Sequence, residues 1–488
     1  MSDSEVIVQF RDLNNVSLGP STTVPVSLTR DQIEELVNTL IKSEGNDDHL
    51  ETSKYTFILE NSEEIKDTLE QAISNAKDGY TGETILNITY IPISIYNIRP
   101  VTRCASSLQG HSEAVLCLEF SPDGSYLASG SGDSTVRIWD LSTHTPIKTF
   151  TGHTNWVLSL SWSPDGHSLA SAGMDNKVIV WNPKNGGNVF LGGHTKGITT
   201  LAWQPLHNID TSVRNYPLLA SASMDCTVRI WDSKAGVSLK ILSGHTRGIS
   251  QIIWSADDPN MIFSASRDTF IKVWNFNTGA LVKNLKGHAH WINTLTSNTS
   301  RIMKSGPYSP ENFEIGNIKF GSVEEMIKES RKIYQKFRES FGQERLLSGS
   351  DDNTMFIWLP HSDGNKPLYR MTGHQQLINH VSFSADGRYF ASASFDKSIR
   401  IWCSITGKYL RTLRGHCGRV YRISWSCRGN YIVSASSDST LKLWDAETGK
   451  LKFDLPGHAD EVYTLDWSNC GRNVASGGKD KIVKLWCH

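Results

Sequence analysis

Eight cysteines are spread over 488 residues, and no two of them form a CxxC pair. The chain starts MSDSEVIVQF, which is acidic and lacks the basic-then-apolar layout of a secretory signal. Both features point to a reducing compartment and away from a disulfide framework or a zinc ribbon. No stretch approaches ~18 uninterrupted apolar residues, so no membrane-spanning segment is expected. The Asn-x-Ser/Thr triplets at Asn15, Asn87 and Asn298 are then chance. Proline is sparse, 16 against 38 glycines. GxxxxGK[ST], HExxH and DxDxDG are all missing, which removes the usual markers of nucleotide, zinc and calcium chemistry.

Tryptophan is absent from the first 100 residues, although the chain has 15. That segment is also short of positive charge, with 7 Lys+Arg against 17 Asp+Glu, whereas the remainder holds 42 against 33. Composition thus separates an acidic, Trp-free head from a basic, Trp-rich body. The basic sign suits an anionic partner such as nucleic acid, and equally an ordinary solvated surface.

The body repeats. Gly-His recurs with His at 111, 153, 194, 245, 288, 374, 416 and 458, and each unit ends in Asp-x5-Trp, from Asp133/Trp139 to Asp480/Trp486. Eight units in phase predict a mainly β fold, an eight-bladed WD-repeat β-propeller. Within a unit, runs such as AVLCLEF, SYLASGS and TVRIWD read as short strands parted by turns. The residue nine after each His is Phe120, Trp162, Trp203, Trp254, Phe383, Trp425 or Trp467, which is packing between blades. The fifth unit has Ser297 there, so its first strand is expected to pack less well.

A Ser stands four before each Asp, giving His111, Ser129, Asp133 and Trp139 in the first unit and His374, Ser392, Asp396 and Trp402 in the sixth. A hydrolase needs one triad beside an oxyanion hole, not eight copies. The expected role is structural: Trp N–H to Ser, Ser to His, His to Asp, satisfying buried polar groups and tying three strands together. No catalytic residue is assigned, and the chain is expected not to be an enzyme, with no small-molecule substrate.

The last unit runs out at Trp486-Cys487-His488, short of an outer strand, while Val101–Leu108 precedes the first Gly-His as an outer strand should. Residues 101–108 are therefore expected to close the eighth blade and remove an open edge. Two units are stretched between their first and second strands: the third around Leu206–Tyr216, and the fifth over 299–341. The latter contains SVEEMIKESRKIYQKFRESFG, with a capping box at Ser322 and Glu325 and a stop at Gly342. Val323, Met326, Ile327, Tyr334, Phe337 and Phe341 share one helical face, expected to pack back under the ring on the side opposite the His and Asp turns, or else to dock a partner.

Trp156 and Trp291 stand three residues after their Gly-His, where other units carry Ala114, Gly197, Gly248, Leu377, Arg419 or Glu461. They should lie near the His-side face, as partner anchors or packed on neighbouring blades.

In the head, 5–92 reads as strand, strand, helix, strand, short helix, strand, with strands at Glu5–Arg11, Thr23–Leu28, Tyr55–Leu59 and Thr84–Ile91. Thr29 and Gln32 form a capping box, and Ile33, Leu36, Val37, Leu40 and Ile41 make the helix's buried face. This order predicts a small α+β ubiquitin-like (β-grasp) domain over 1–95, followed by the propeller over 96–488. Glu83 falls on the turn before the last strand and by itself is one carboxylate among many.

Strings along the whole chain, among them VQFRDLNNVSLG, IRPVTRCASSLQGH, HTNWVLSLSWSPDG, KGHAHWINTL, SDDNTMFIW, MTGHQQLINHVSFSADGRYFASASFDKSIRIW and LPGHADEVYTLDWS, resemble those of the Notchless family. The resemblance implies a ribosome biogenesis factor that binds pre-60S particles, including ribosomal RNA and ribosomal proteins, in the nucleolus and nucleus. It implies that the head docks on the adhesion site of midasin, an AAA-type ATPase, which remodels the particle and releases the factor. The family's metal-contacting Glu lies seven residues before the aromatic of a Tyr-x-Pro, here Tyr90 and Pro92, which places it at Glu83. Mg²⁺ would be held by the partner and completed by Glu83, with Asp78 the second choice; the chain alone binds no metal and needs no cofactor. An association with Notch signalling comes with the family but with no motif. The alternative function is a WD-repeat substrate adaptor of a ubiquitin ligase, although the head lacks a terminal Gly-Gly and cannot be conjugated.

Overall fold

The computed structural model describes residues 5–11, 17–43, 54–59, 65, 68–75, 85–93, 100–308 and 320–487. The chain forms two compact units: Met1–Asn97 with Gln335–Gly342, and Ile98–Tyr334 with Gln343–His488.

In the head, β1 (Glu5–Arg11), β2 (Ser17–Pro25), α1 (Arg30–Ser43), β3 (Lys54–Leu59), α2 (Leu69–Asn75) and β4 (Ile85–Ile93) follow in order. The sheet runs β2-β1-β4-β3, with β1 and β4 parallel and the outer pairs antiparallel, as in a β-grasp. Val8, Phe10, Phe57, Leu86 and Ile88 point inward against Ile33 and Val37 of α1, and Leu36, Leu40 and Ile41 pack at the margin. The Thr29 N–H donates to Gln32 Oε1 at 3.0 Å, half of the expected box. Strand β2 begins six residues earlier than expected. Gly19-Pro20 breaks the apolar alternation, but Gly19 takes φ +63° and the register shifts by a bulge between Val8 and Phe10, so pairing continues to Ser17.

The body is a ring of eight four-stranded antiparallel sheets. Blades one to eight are numbered by their inner strands, which start at Val115, Val157, Ile198, Ile249, Ile292, Ile378, Val420 and Val462. Each inner strand touches the next, and the eighth touches the first. Strand β5 (Arg103–Leu108) is the outer strand of blade eight, with Leu108 opposite Val483 and Arg103 opposite Cys487. Leu108 is buried there much as Phe150 is buried opposite Val136 in blade one.

Ser297 does not weaken blade five's inner strand, contrary to expectation. The strand keeps the full run Ile292–Ser297, and the buried Ser297 hydroxyl lies 2.7 Å from Thr299 Oγ1 and 3.2 Å from Ser300 Oγ. The polar side chain is satisfied by a hydroxyl cluster that begins a short helix, α3 (Ser300–Ser305). The long helix α4 (Val323–Phe341) follows. Its Met326 and Ile327 are buried against Leu206 and Ile209 of the blade-three insertion, so the two insertions pack on each other below the ring. Arg331 donates to the carbonyls of His207 and Ile209, and Tyr334 stacks on His207 at 4.1 Å.

Candidate functional site

Two described regions carry the chemistry-bearing residues: the blade tetrads and the two mouths of the ring. In blade one, Trp139 Nε1–H donates to Ser129 Oγ at 2.8 Å, Ser129 Oγ lies 2.8 Å from His111 Nε2, and His111 Nδ1 lies 2.9 Å from Asp133 Oδ2. Blade six repeats this with Trp402, Ser392, His374 and Asp396 at 3.2, 2.7 and 2.8 Å. The other six blades have the same arrangement. With Nδ1–H given to the carboxylate, neutral His offers Nε2 as acceptor to the Ser hydroxyl. All eight serines are fully buried, so no Oγ is open to a substrate.

Each Asp also organises the turn it sits in. Asp133 Oδ2 accepts the Ser112 N–H and Oδ1 accepts both donors of Thr135. Burial alone would raise the Asp133 carboxyl, yet these bonds and His111 hold it at about 2. Burial lowers His111 against the opposing pull of Asp133. Sequence reasoning missed a consequence for the backbone. The residue after every tetrad Asp is left-handed and none is glycine: Ser134, Asn176, Cys226, Thr269, Asn353, Lys397, Ser439 and Lys481, with φ between 62° and 75°.

On the upper face, where the Gly-His and Asp turns lie, Trp156 is 56% exposed and Trp291 36%. Trp156 leans over Gly132 of blade one, and Trp291 lies under the Arg267 guanidinium of blade four at 5.1 Å. At the lower mouth, α3 reaches across the ring. Lys304 pairs with Glu119 on blade one at 3.0 Å, Arg301 donates to the Asn469 carbonyl of blade eight at 3.5 Å, and a Cβ on Gly306 would come 2.7 Å from the Pro164 carbonyl of blade two. Glu119 and Asp466 stand just before the inter-blade aromatics of their strands, where other blades have neutral residues, and this was the sequence signal available for them.

Among the described residues, Asp257, Glu344 and His361 have ligand atoms within 4.8 Å of one another. Glu344 is buried and already accepts from Ser255 Oγ at 2.6 Å, the Ala256 N–H at 3.1 Å and His361 at 3.1 Å, while Asp257 accepts the Tyr334 hydroxyl and the Glu344 N–H. The group is a hydrogen-bonded latch between blades four and five and α4. In the head, Tyr90 lies in β4 opposite Phe57 and packs edge-on to Tyr55 at 5.8 Å. Glu83 and Asp78 lie outside the described residues.

A head with a mixed four-stranded sheet and a ring with eight buried tetrads define a WD-repeat propeller protein with a small N-terminal α+β domain. Comparison with known proteins gives that class a family. Residues 6–73 match the NLE (NUC135) domain, and seven segments from 102 to 487 match the WD domain, G-beta repeat. Residues 276–364, which hold the three inner strands of blade five and its insertion, are outside those segments. The chain is 43% identical to Protein Notchless of Drosophila melanogaster over 75% of its length and 72% of that protein's. It is 42% identical to the Notchless protein homolog of Arabidopsis thaliana over 83% and 81%, and 41% identical to Ribosome assembly protein 4 of Saccharomyces cerevisiae over 84% and 81%. The chain belongs to the Notchless family. A crystal structure of the computationally designed Ika8 protein superposes with a TM-score of 0.60 at 26% identity, over 79% of this chain and all of that one.

Proposed function

We propose that this protein is a non-enzymatic assembly factor of the large ribosomal subunit, acting in the nucleus and nucleolus. Membership of a family with a relative named Ribosome assembly protein 4 carries the reading. Burial of every tetrad serine supports a scaffold and not a hydrolase. The basic ring holds the pre-60S particle through ribosomal RNA and ribosomal proteins, and the acidic head is the handle for the midasin ATPase. An association with Notch signalling is carried by the family name alone.

Glu83 would supply one oxygen to a divalent ion held by the adhesion site of midasin. A carboxylate is the right donor for Mg²⁺, which favours oxygen ligands in near-octahedral geometry. The chain's own part is to present that carboxylate just ahead of β4, a strand anchored by its pairing with β1 and β3.

Two measurements test this. Tagged full-length protein should co-sediment with pre-60S particles, and migration with a ubiquitin ligase complex would favour the adaptor reading instead. Glu83→Ala and Glu83→Asp should each abolish EDTA-sensitive binding to midasin while leaving co-sedimentation intact, stalling release and acting dominantly. Binding that survives Glu83→Ala, or that ignores EDTA, shifts the handle to Asp78.

A further inference from the structure

Four consecutive blade seams on the upper face share one construction. At each, the residue before the tetrad Asp of one blade meets the residue three after the Gly-His of the next. Between blades one and two the pair is Gly132 and Trp156; between two and three, Met174 and Gly197; between three and four, Met224 and Gly248; between four and five, Arg267 and Trp291. A Cβ on Gly197 would come 2.7 Å from the Met174 sulfur, and one on Gly248 would come 3.2 Å from Met224 Cα. At the first three seams the glycine lets the large partner lie flat, and at the fourth Arg267 stacks on Trp291. The result is an arc of Trp156, Met174, Met224 and Trp291, with Trp156, Met174 and Trp291 at least 36% exposed.

The exposed charge along the middle of this arc is positive. Lys177, Lys196, Arg247 and Arg267 are exposed on the same turns. The carboxylates of Asp175, Asp225 and Asp268 are at most 7% exposed and are taken up by their tetrad histidines. Exposed acid flanks the arc at Glu113, whose Cβ lies beside Trp156 over Gly132, half-buried Asp351 adjoins Trp291 at the other end, and Asp460 stands farther round on blade eight. Thioethers and indoles beside fixed cations suit apolar side chains alternating with carboxylates. Base stacking suits the arc less well, because one face of Trp291 is already covered by Arg267.

We propose that the arc over blades two to five is a docking surface for an extended acidic peptide segment of a protein partner. This rests on the reading that the ring engages other components of an assembling particle, and it assigns them a chemistry and a place.

The test uses full-length protein and a fluorescein-labelled dodecapeptide alternating Glu or Asp with Leu or Phe, read by anisotropy. Affinity should fall about tenfold or more in Trp156→Ala and in the pair Lys196→Glu with Arg247→Glu, and should hold in Arg419→Ala on blade seven. Thermal melts establish that each variant is folded. Dodecauridylate should not displace the peptide. Failure of the wild type to bind the peptide, or equal binding by the arc variants, overturns the proposal. Dodecauridylate binding lost in the same variants makes the arc a nucleic-acid surface and also overturns it. Co-sedimentation of the wild type with pre-60S particles is read separately, so the arc can fail while the assembly role stands, and the reverse.

Discussion

Lys304, on the insertion of blade five, reaches Glu119 on the inner strand of blade one, the blade diametrically opposite, at 3.0 Å. Glu119 is buried, and its second oxygen accepts the Trp162 N–H at 3.0 Å. Burial pushes its carboxyl up while Lys304 pulls it down. The two ends differ in exposure: the Lys304 side chain is 58% exposed and the Glu119 side chain 9%. Solvent screens the lysine, so the pair is worth less than a fully buried ion pair and lies near the upper end of the range for exposed ones.

Lys304→Met should therefore cost about 1 kcal/mol, since it leaves a buried carboxylate without its counter-charge. Adding Glu119→Gln should recover part of that loss. A double-mutant cycle by chemical denaturation measures the coupling, and strictly additive effects would remove the strut.

Asp396→Ala should destabilise the ring by about 1–3 kcal/mol, because it strands the buried His374 and frees the N–H groups that Asp396 holds. Partner binding should fall only as far as folding does. A denaturant melt that leaves stability unchanged while binding disappears would contradict the structural role of the tetrad.

Thr269 has the largest φ of the eight turn residues, +75°, and is β-branched. Thr269→Asn should raise stability by roughly 0.5–1 kcal/mol, since asparagine tolerates the left-handed region and threonine does not. Thr269→Pro should do the opposite. Thermal midpoints decide, and a midpoint lowered by Thr269→Asn sinks the argument.

Acid should weaken the ring most through His207 and His380, which are shifted furthest among the lowered histidines. Burial lowers His207 from 6.5 to about 4 and His380 from 6.5 to about 3. The unfolded chain binds these protons near pH 6.5 while the folded ring refuses them, so stability falls as pH drops through that interval. His361 works in reverse. Burial would lower it, but Glu344 holds it raised, so its contribution is complete below pH 6.5 and fades as pH rises through its folded value. His207→Phe, which can keep the stack on Tyr334, should flatten the fall in melting midpoint between pH 7 and pH 5. An unchanged slope would mean that His207 does not carry it.

What could be read from the sequence was whatever the repeat puts in phase. The tetrads, the strand order within a blade and the closure by β5 follow from residue types recurring at fixed offsets, because the same contacts are made eight times. The Notchless family could be read from strings along the whole chain. Features made once stayed hidden. Helix α3 has no counterpart in other blades, and its contacts join residues far apart in the chain, such as Lys304 and Glu119. Met174 and Met224 gave no signal alone, since their placement depends on glycines in the following blade. The early start of β2 depends on a bulge that compensates Gly19-Pro20, and alternation cannot reveal that.

Strand β5 gives the ring a preferred point of mechanical failure. In sequence the chain enters the ring through this strand, whose edge pairs with Val483–Cys487 of blade eight. A pull on the chain ahead of Val101 would load those few backbone hydrogen bonds together with buried Val101, which packs against Val433 and Leu441 of blade seven. If they part, the ring opens at one seam while the other seven sheets keep all four strands. Under such a pull, the strand that seals the circle would also be its fuse.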